Sequence, residues 1–234
     1  MAFSTEVDIV PFQWQQRALR RSLGGAQTRS MDRMNRLLAA ARDLANETGS
    51  AAFTVRDVAT TAGLSLKAFY RCFAGKDELL LALLEEDSGL GTGLLAERIN
   101  RYDDPVERIR AYVEGLFGLL TEPGALGYAG VLIREHRRLA EAHPDELKAS
   151  IAPLVDLLAV ELGGAMQAGR ADPGDVHRTA ETMFGVLLGG ISEVVLGRAD
   201  PLEIAPWLWA FCWAGVRGEP SSPPRRTRKR GGRS

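Results

Sequence analysis

The chain is short of the residues that carry most enzyme and metal chemistry. Its 234 residues include two cysteines and three histidines. Cys72 and Cys212 lie far apart in sequence, which argues against a disulfide framework and fits a reducing cytosol. Cys72 reads as a small buried hydrophobe, since no resolving cysteine lies near it. His136, His143 and His177 sit in no H-E-x-x-H pattern. C-x-x-C, G-x-S-x-G and phosphate-loop patterns are missing as well. No cofactor and no metal are therefore expected, and a helical-bundle enzyme is the less favoured reading. No run of about 18 apolar residues occurs, so no membrane partner is expected. The N-terminus shows no apolar run ahead of a small-residue cleavage site, so no secretory leader is expected and the cytoplasm is the expected compartment. No segment alternates with period 2 and no internal repeat appears.

Helical periodicity is abundant instead. Apolar residues make up 45% of the chain, ample for a core. Met34, Leu37, Leu38, Ala41, Leu44 and Ala45 recur at helical spacing, predicting a helix over 31–48 that Gly49 ends. A helix opening at Lys76 runs through Leu84. Gly89, Gly91 and Gly93 then predict a loosened stretch before a short helix at 94–101. Asp104-Pro105, Asp172-Pro173 and Asp200-Pro201 are helix start signals. Helices are expected from there to about 121, over 126–142 and 144–168, over 175–197, and from 201 to about 217. The fold class is therefore all-α, with nine or ten helices.

Charge divides the chain unevenly. Residues 1–82 hold 11 basic and 8 acidic groups, residues 83–219 hold 12 and 22, and residues 220–234 hold six basic groups and no acid. DNA would repel the acidic body and attract the front and the tail. Residues 219–234, EPSSPPRRTRKRGGRS, lack core-forming side chains and are expected to be disordered.

Residues 54–73, TVRDVATTAGLSLKAFYRCF, carry the sharpest signal. Thr54 reads as an N-cap with Asp57 completing a capping box. Val55, Val58 and Ala59 share one helical face. Gly63 supplies the left-handed turn residue, and Ser65 caps the next helix. Two short helices around such a turn form a helix-turn-helix, whose second helix fits a DNA major groove.

The stretch from Met31 to about Leu84 resembles the TetR family of bacterial transcriptional regulators. The matching residues are Ala41 and Leu44 in the leading helix, F-T-V-R-D-V-A at 53–59, A-G-L-S at 62–65, F-Y-R-x-F at 69–73 and K-D-E-L-L at 76–80. Cys72 stands where the family often has histidine. The resemblance implies an N-terminal three-helix head holding the helix-turn-helix, followed by a larger helical ligand-binding and dimerisation bundle. The expected division is an N-terminal extension (1–30), a DNA-binding domain (31–88), a ligand-binding and dimerisation domain (89–218) and a basic tail (219–234).

The same resemblance implies a repressor that binds a palindromic operator as a homodimer and is released by a lipophilic effector. On the recognition helix Leu66, Lys67, Ala68 and Tyr70 are expected on or near the outward face. Lys67 suits guanine O6 or N7, while Leu66 and Ala68 suit a thymine methyl. Tyr70 resembles the family tyrosine that bonds a phosphate. Thr54 and Ser65 are caps that can also meet phosphates, and Lys76, Arg56 and Arg71 complete the candidates. Arg17, Arg20, Arg21 and Arg29 form either a minor-groove arm or a solvated extension.

By the same resemblance the last two helices form the dimer interface, for which Phe184, Leu187, Leu188, Ile191, Val195, Trp207 and Phe211 are the candidates. The middle helices enclose an effector pocket, for which Tyr112, Leu116, Phe117, Leu120, Tyr128, Leu132, Leu158 and Met166 are the candidates. Each of these is also consistent with plain core. The alternative function is sequence-nonspecific, nucleoid-type coating of DNA through the basic tail, with affinity set by salt.

Overall fold

The computed structural model describes residues 27–172 and 174–217, with side chains from Ser30 onward. The arm arginines at 17, 20 and 21, the side chain of Arg29, and the basic tail lie outside the described residues. Nine α-helices and no strand occur among those described. They are α1 (Gln27–Thr48), α2 (Val55–Thr61), α3 (Leu66–Cys72), α4 (Lys76–Ile99), α5 (Pro105–Gly118), α6 (Ala125–Ala142), α7 (Pro144–Gln167), α8 (Val176–Val195) and α9 (Pro201–Arg217), with a 3-10 turn at Leu119–Thr121.

Two helices run longer than their sequence signals. The first starts at Gln27, four residues ahead of Met31. More consequentially, α4 does not break at Gly89, Gly91 and Gly93 but continues to Ile99. Glycine costs a helix interior about 1 kcal/mol per residue, and packing outweighs it here. Ser88, Leu95 and Ile99 are buried, and α4 lies against α5 and α7. Gly91 faces Leu154 of α7, whose side chain would stand in ordinary contact, 3.7 Å, from an added Cβ. The expected domain boundary at 88/89 thus falls inside a continuous helix.

Two apolar cores share that helix. The first joins α1, α2 and α3 to Leu79–Leu84 of α4, with Val131, Leu139 and Leu147 from the body closing its edge. The second fills the space between α5, α7, α8 and α9 and receives Leu95 and Ile99 from the far end of α4. Within the body, Glu161 is buried and bound in fork geometry by Arg108, whose Nε and Nη2 donate at 2.6 and 2.8 Å. The ion pair locks α5 to α7. Asp104 caps α5 through the amides of Val106 and Glu107. One helix, Pro144–Gln167, is long and apolar enough to cross a membrane. Here it packs against α4, α5, α6 and α8 and contains the buried Glu161.

Candidate DNA-binding face and effector cavity

The turn between α2 and α3 is built by backbone hydrogen bonds that only one kind of residue permits. Gly63 takes φ +63°, the left-handed region. Its N–H donates to Thr60 O at 2.9 Å and that of Leu64 to Ala59 O at 2.8 Å, closing a Schellman motif. Arg36 of α1 reaches across and donates to Ala62 O at 2.5 Å. A Cβ on Gly63 would meet that guanidinium at 3.0 Å.

Both helices are capped as their sequence predicts. The Thr54 hydroxyl accepts from Asp57 N at 3.2 Å, and the Asp57 carboxylate accepts from Thr54 N at 2.7 Å. The Thr54 backbone N–H, and then its hydroxyl, hold the Asp57 carboxyl below its usual range. Ser65 accepts from Ala68 N at 3.1 Å.

These caps aim α3. Phe69 and Cys72 face inward and are buried with Phe73, while Leu66, Lys67, Tyr70 and Arg71 are exposed. The four exposed positions fall at helical neighbour spacing, on one side of the helix. Tyr70 is 54% exposed, and its ring stands edge-on to Phe69 at 5.5 Å. Thr54, Arg56 and Ser65 are exposed as well.

Two candidates sit differently from expectation. Ala68 is 5% exposed and lies one turn before the buried Cys72, on the same side of the helix. Lys76 folds back: its ammonium donates to Ala51 O and lies 4.9 Å from the Phe53 ring centroid. It pins the loop before α2 to the start of α4.

In the body a cavity of about 180 Å³ lies between α4, α5, α6, α7 and α8. Its walls are almost wholly apolar, and Leu116, Leu120 and Leu132 are among them. The other five pocket candidates do not line it. Tyr112 is fully buried with its hydroxyl on Leu154 O at 3.0 Å. Phe117 and Leu158 are core, and Met166 packs against the same core from the far end of α7. Tyr128 is occupied otherwise, as described below. A helical sequence pattern separates buried from exposed residues but not cavity wall from filled core. Residues of the wall that carried no sequence signal include Leu154, Ile133 and His136. A second, outer groove of about 550 Å³ between α6, α7 and α8 shares His136, Ile151, Phe184 and Leu188 with the inner chamber.

The chamber's wall is tied to the head. Asp87 of α4 lines the chamber and accepts from Arg42 of α1 at 2.7 Å on Oδ1 and from the Tyr128 hydroxyl of α6 on Oδ2. Arg42 also donates to Glu86 at 3.0 Å and lies 6.0 Å from the Tyr128 ring centroid. Burial and the Asp87 carboxylate both push the Tyr128 phenol far above its ordinary range. Two further arginines of α6 continue the clamp. Arg134 donates to Gly49 O at the end of α1. Arg138 binds Asp77 at the start of α4 at 2.6 Å, beside His143 at 3.2 Å.

The dimer candidates divide into two groups. Phe184, Leu187 and Ile191 are buried in the protomer's own core, and Leu188 and Val195 are half-buried. Trp207 and Phe211 are instead 62% and 58% exposed and stack on each other at 5.6 Å. On α8, Gly185 and Gly189 are exposed as well. An amphipathic period hides this distinction, because α8 is apolar around most of its circumference and only packing selects the side that the protomer itself covers.

A three-helix head with an exposed recognition helix, set on a helical body, defines a DNA-binding transcriptional regulator of the helix-turn-helix class. Residues 37–83 match the family model for bacterial regulatory proteins of the tetR family. Over that stretch the chain is similar to this family. No curated protein matches it. Among solved structures it is similar to the transcriptional regulator FadR from Bacillus subtilis in complex with stearoyl-CoA, with 21% identity, TM-score 0.66, and coverage of 77% of this chain and 98% of that one. It is also similar to RolR in complex with resorcinol, with 19% identity, TM-score 0.63, and coverage of 81% and 89%. A TetR-family regulator from Rhodococcus sp. matches with 20% identity, TM-score 0.64, and coverage of 80% and 100%. At such identities the likeness establishes the shared fold.

Proposed function

We propose that this protein is a cytoplasmic repressor that binds a palindromic operator as a homodimer and is released by a lipophilic small molecule. The observation that carries the reading is the exposed quartet Leu66, Lys67, Tyr70 and Arg71 on a helix whose other side is buried. Lys67 donates to a guanine edge and Leu66 meets a thymine methyl. Tyr70, Ser65, Thr54, Arg56 and Arg71 hold the phosphates on either side. One head reads too few base pairs for genomic specificity, so two are needed on successive major grooves. The exposed Trp207–Phe211 stack, together with the exposed Gly185 and Gly189 of α8, supplies the surface on which a second copy packs.

Release follows from linkage. An effector that favours one body conformation lowers operator affinity by the ratio of its affinities for the two states. The chamber touches α4 and α6, and both are bonded to the head through Asp87–Arg42, Asp77–Arg138 and Arg134–Gly49. Helix α4 is thus one half of the lever and α6 the other. Two fold relatives were solved with stearoyl-CoA and with resorcinol, which supports a body that accepts a small-molecule effector. Footprinting on the DNA upstream of the gene is the test. Protection of a two-fold symmetric site, resistant to competing random duplex, is the expected result. Uniform coating governed by salt alone would favour the nucleoid-type reading instead.

A further inference from the structure

The inner chamber and the outer groove share His136, a residue for which the fold provides no bonding partner. Its Nε2 is buried without any hydrogen bond, one of two such side-chain atoms among the described residues; the other is Arg98 Nε. A buried nitrogen left unpaired costs about 1–3 kcal/mol. Burial also pushes the imidazole below its ordinary range, so the ring is neutral near pH 7 and can act as donor or acceptor. Histidine χ2 is soft, so a small turn of the ring presents a nitrogen to whatever occupies the chamber.

Size and charge narrow the occupant. A cavity of about 150 Å³ walled by aliphatic and aromatic side chains holds a benzene ring, and this chamber measures about 180 Å³. No lysine or arginine lines it; its one charged residue is Asp87, an anion already matched to Arg42. The outer groove is no better for anions. Its Lys148 is bound to Glu181 at 2.6 Å, and Asp156 stands on the same wall. A carboxylate or a phosphate therefore loses its hydration and meets no available cation.

We propose that the chamber binds an uncharged, single-ring molecule, with one hydroxyl hydrogen-bonded to His136. This rests on the reading of the body as an effector domain and names the chemical class of the effector. An acyl-CoA, the ligand in the FadR relative, is by this argument the wrong class, since its phosphates find no counter-charge in either space.

The test uses the full-length protein and three probes that share a methyl-substituted ring: 4-methylphenol, toluene and 4-methylbenzoate, titrated by calorimetry, with decanoyl-CoA as a fourth. The expected order is 4-methylphenol tighter than toluene, with no binding of 4-methylbenzoate or decanoyl-CoA. His136→Leu should weaken 4-methylphenol about tenfold and leave toluene unchanged or tighter. Retained toluene binding excludes misfolding of the His136 variant as the cause, and Leu132→Trp, which fills the chamber, should abolish binding of both. Tight binding of the benzoate or the CoA ester overturns the proposal. So does an unchanged 4-methylphenol affinity in His136→Leu, or a failure of 4-methylphenol to bind at all. Operator release is measured separately. If 4-methylphenol binds at His136 and the operator stays occupied, the site stands and effector-driven release fails.

Discussion

Lys67 and Tyr70 are exposed, and Tyr70 meets the core only through its edge-on contact with Phe69, so Lys67→Ala and Tyr70→Phe should separate recognition from folding. Lys67→Ala is expected to cost about 1–3 kcal/mol on the operator and to relax preference at one base pair, as a groove contact would. Tyr70→Phe should cost about 0.5–1.5 kcal/mol evenly across sequences, as a phosphate contact would. Both read out in equilibrium binding at fixed salt, with melting temperatures unchanged. Arg108 predicts the reverse. It is the partner of the buried Glu161, so Arg108→Ala strands a buried charge and should destabilise the fold by about 3–5 kcal/mol. Replacing both members with apolar residues should recover most of that loss in chemical denaturation.

Among the helices, α6 carries the contacts that join body to head, and one of them titrates. The Arg138 guanidinium, helped by His143, holds the Asp77 carboxyl below its usual range. A depressed carboxylate contributes stability that is present above the unfolded value, near 3.9, and is lost as pH falls through the folded value. The clamp should therefore weaken below about pH 4. Asp77→Asn should lower the melting temperature at pH 7, and the gap to wild type should close on acidification. If the gap is the same at pH 3 as at pH 7, the pair does not stabilise the joint. The helix boundaries were mostly legible in the sequence, since Asp104, Thr54, Ser65 and Gly63 act where their chemistry places them. The run of glycines in α4 misled, because glycine marks a break only where no neighbour packs against the helix.

At the scale of the whole molecule, the stacked pair Trp207 and Phe211 is left uncovered by the protomer. Trp207→Glu combined with Phe211→Glu should convert a dimer to a monomer in sedimentation while leaving the protomer's melting nearly unchanged, since both rings are more than half exposed. Operator affinity should fall with dimerisation. A dimer that survives both charges would place the interface elsewhere. The arrangement as a whole sets a helix-turn-helix head and a body with an apolar chamber on one continuous α4, bridged by α6.

Local chemistry was enough for the sequence alone to determine the helical class, the capped helix-turn-helix, the inward and outward sides of α3 apart from Ala68, and the TetR likeness. Each rests on interactions within a few residues, which sequence spacing records directly. Only the tertiary structure decided that α4 is unbroken, that Lys76 points back to Ala51, and that Phe184, Leu187 and Ile191 serve the protomer's own core. It alone brought Asp87 to Arg42 across 45 positions and left His136 unpartnered between two hollows. A cavity is a property of how helices fail to fill space together, and no single helix carries a pattern for it.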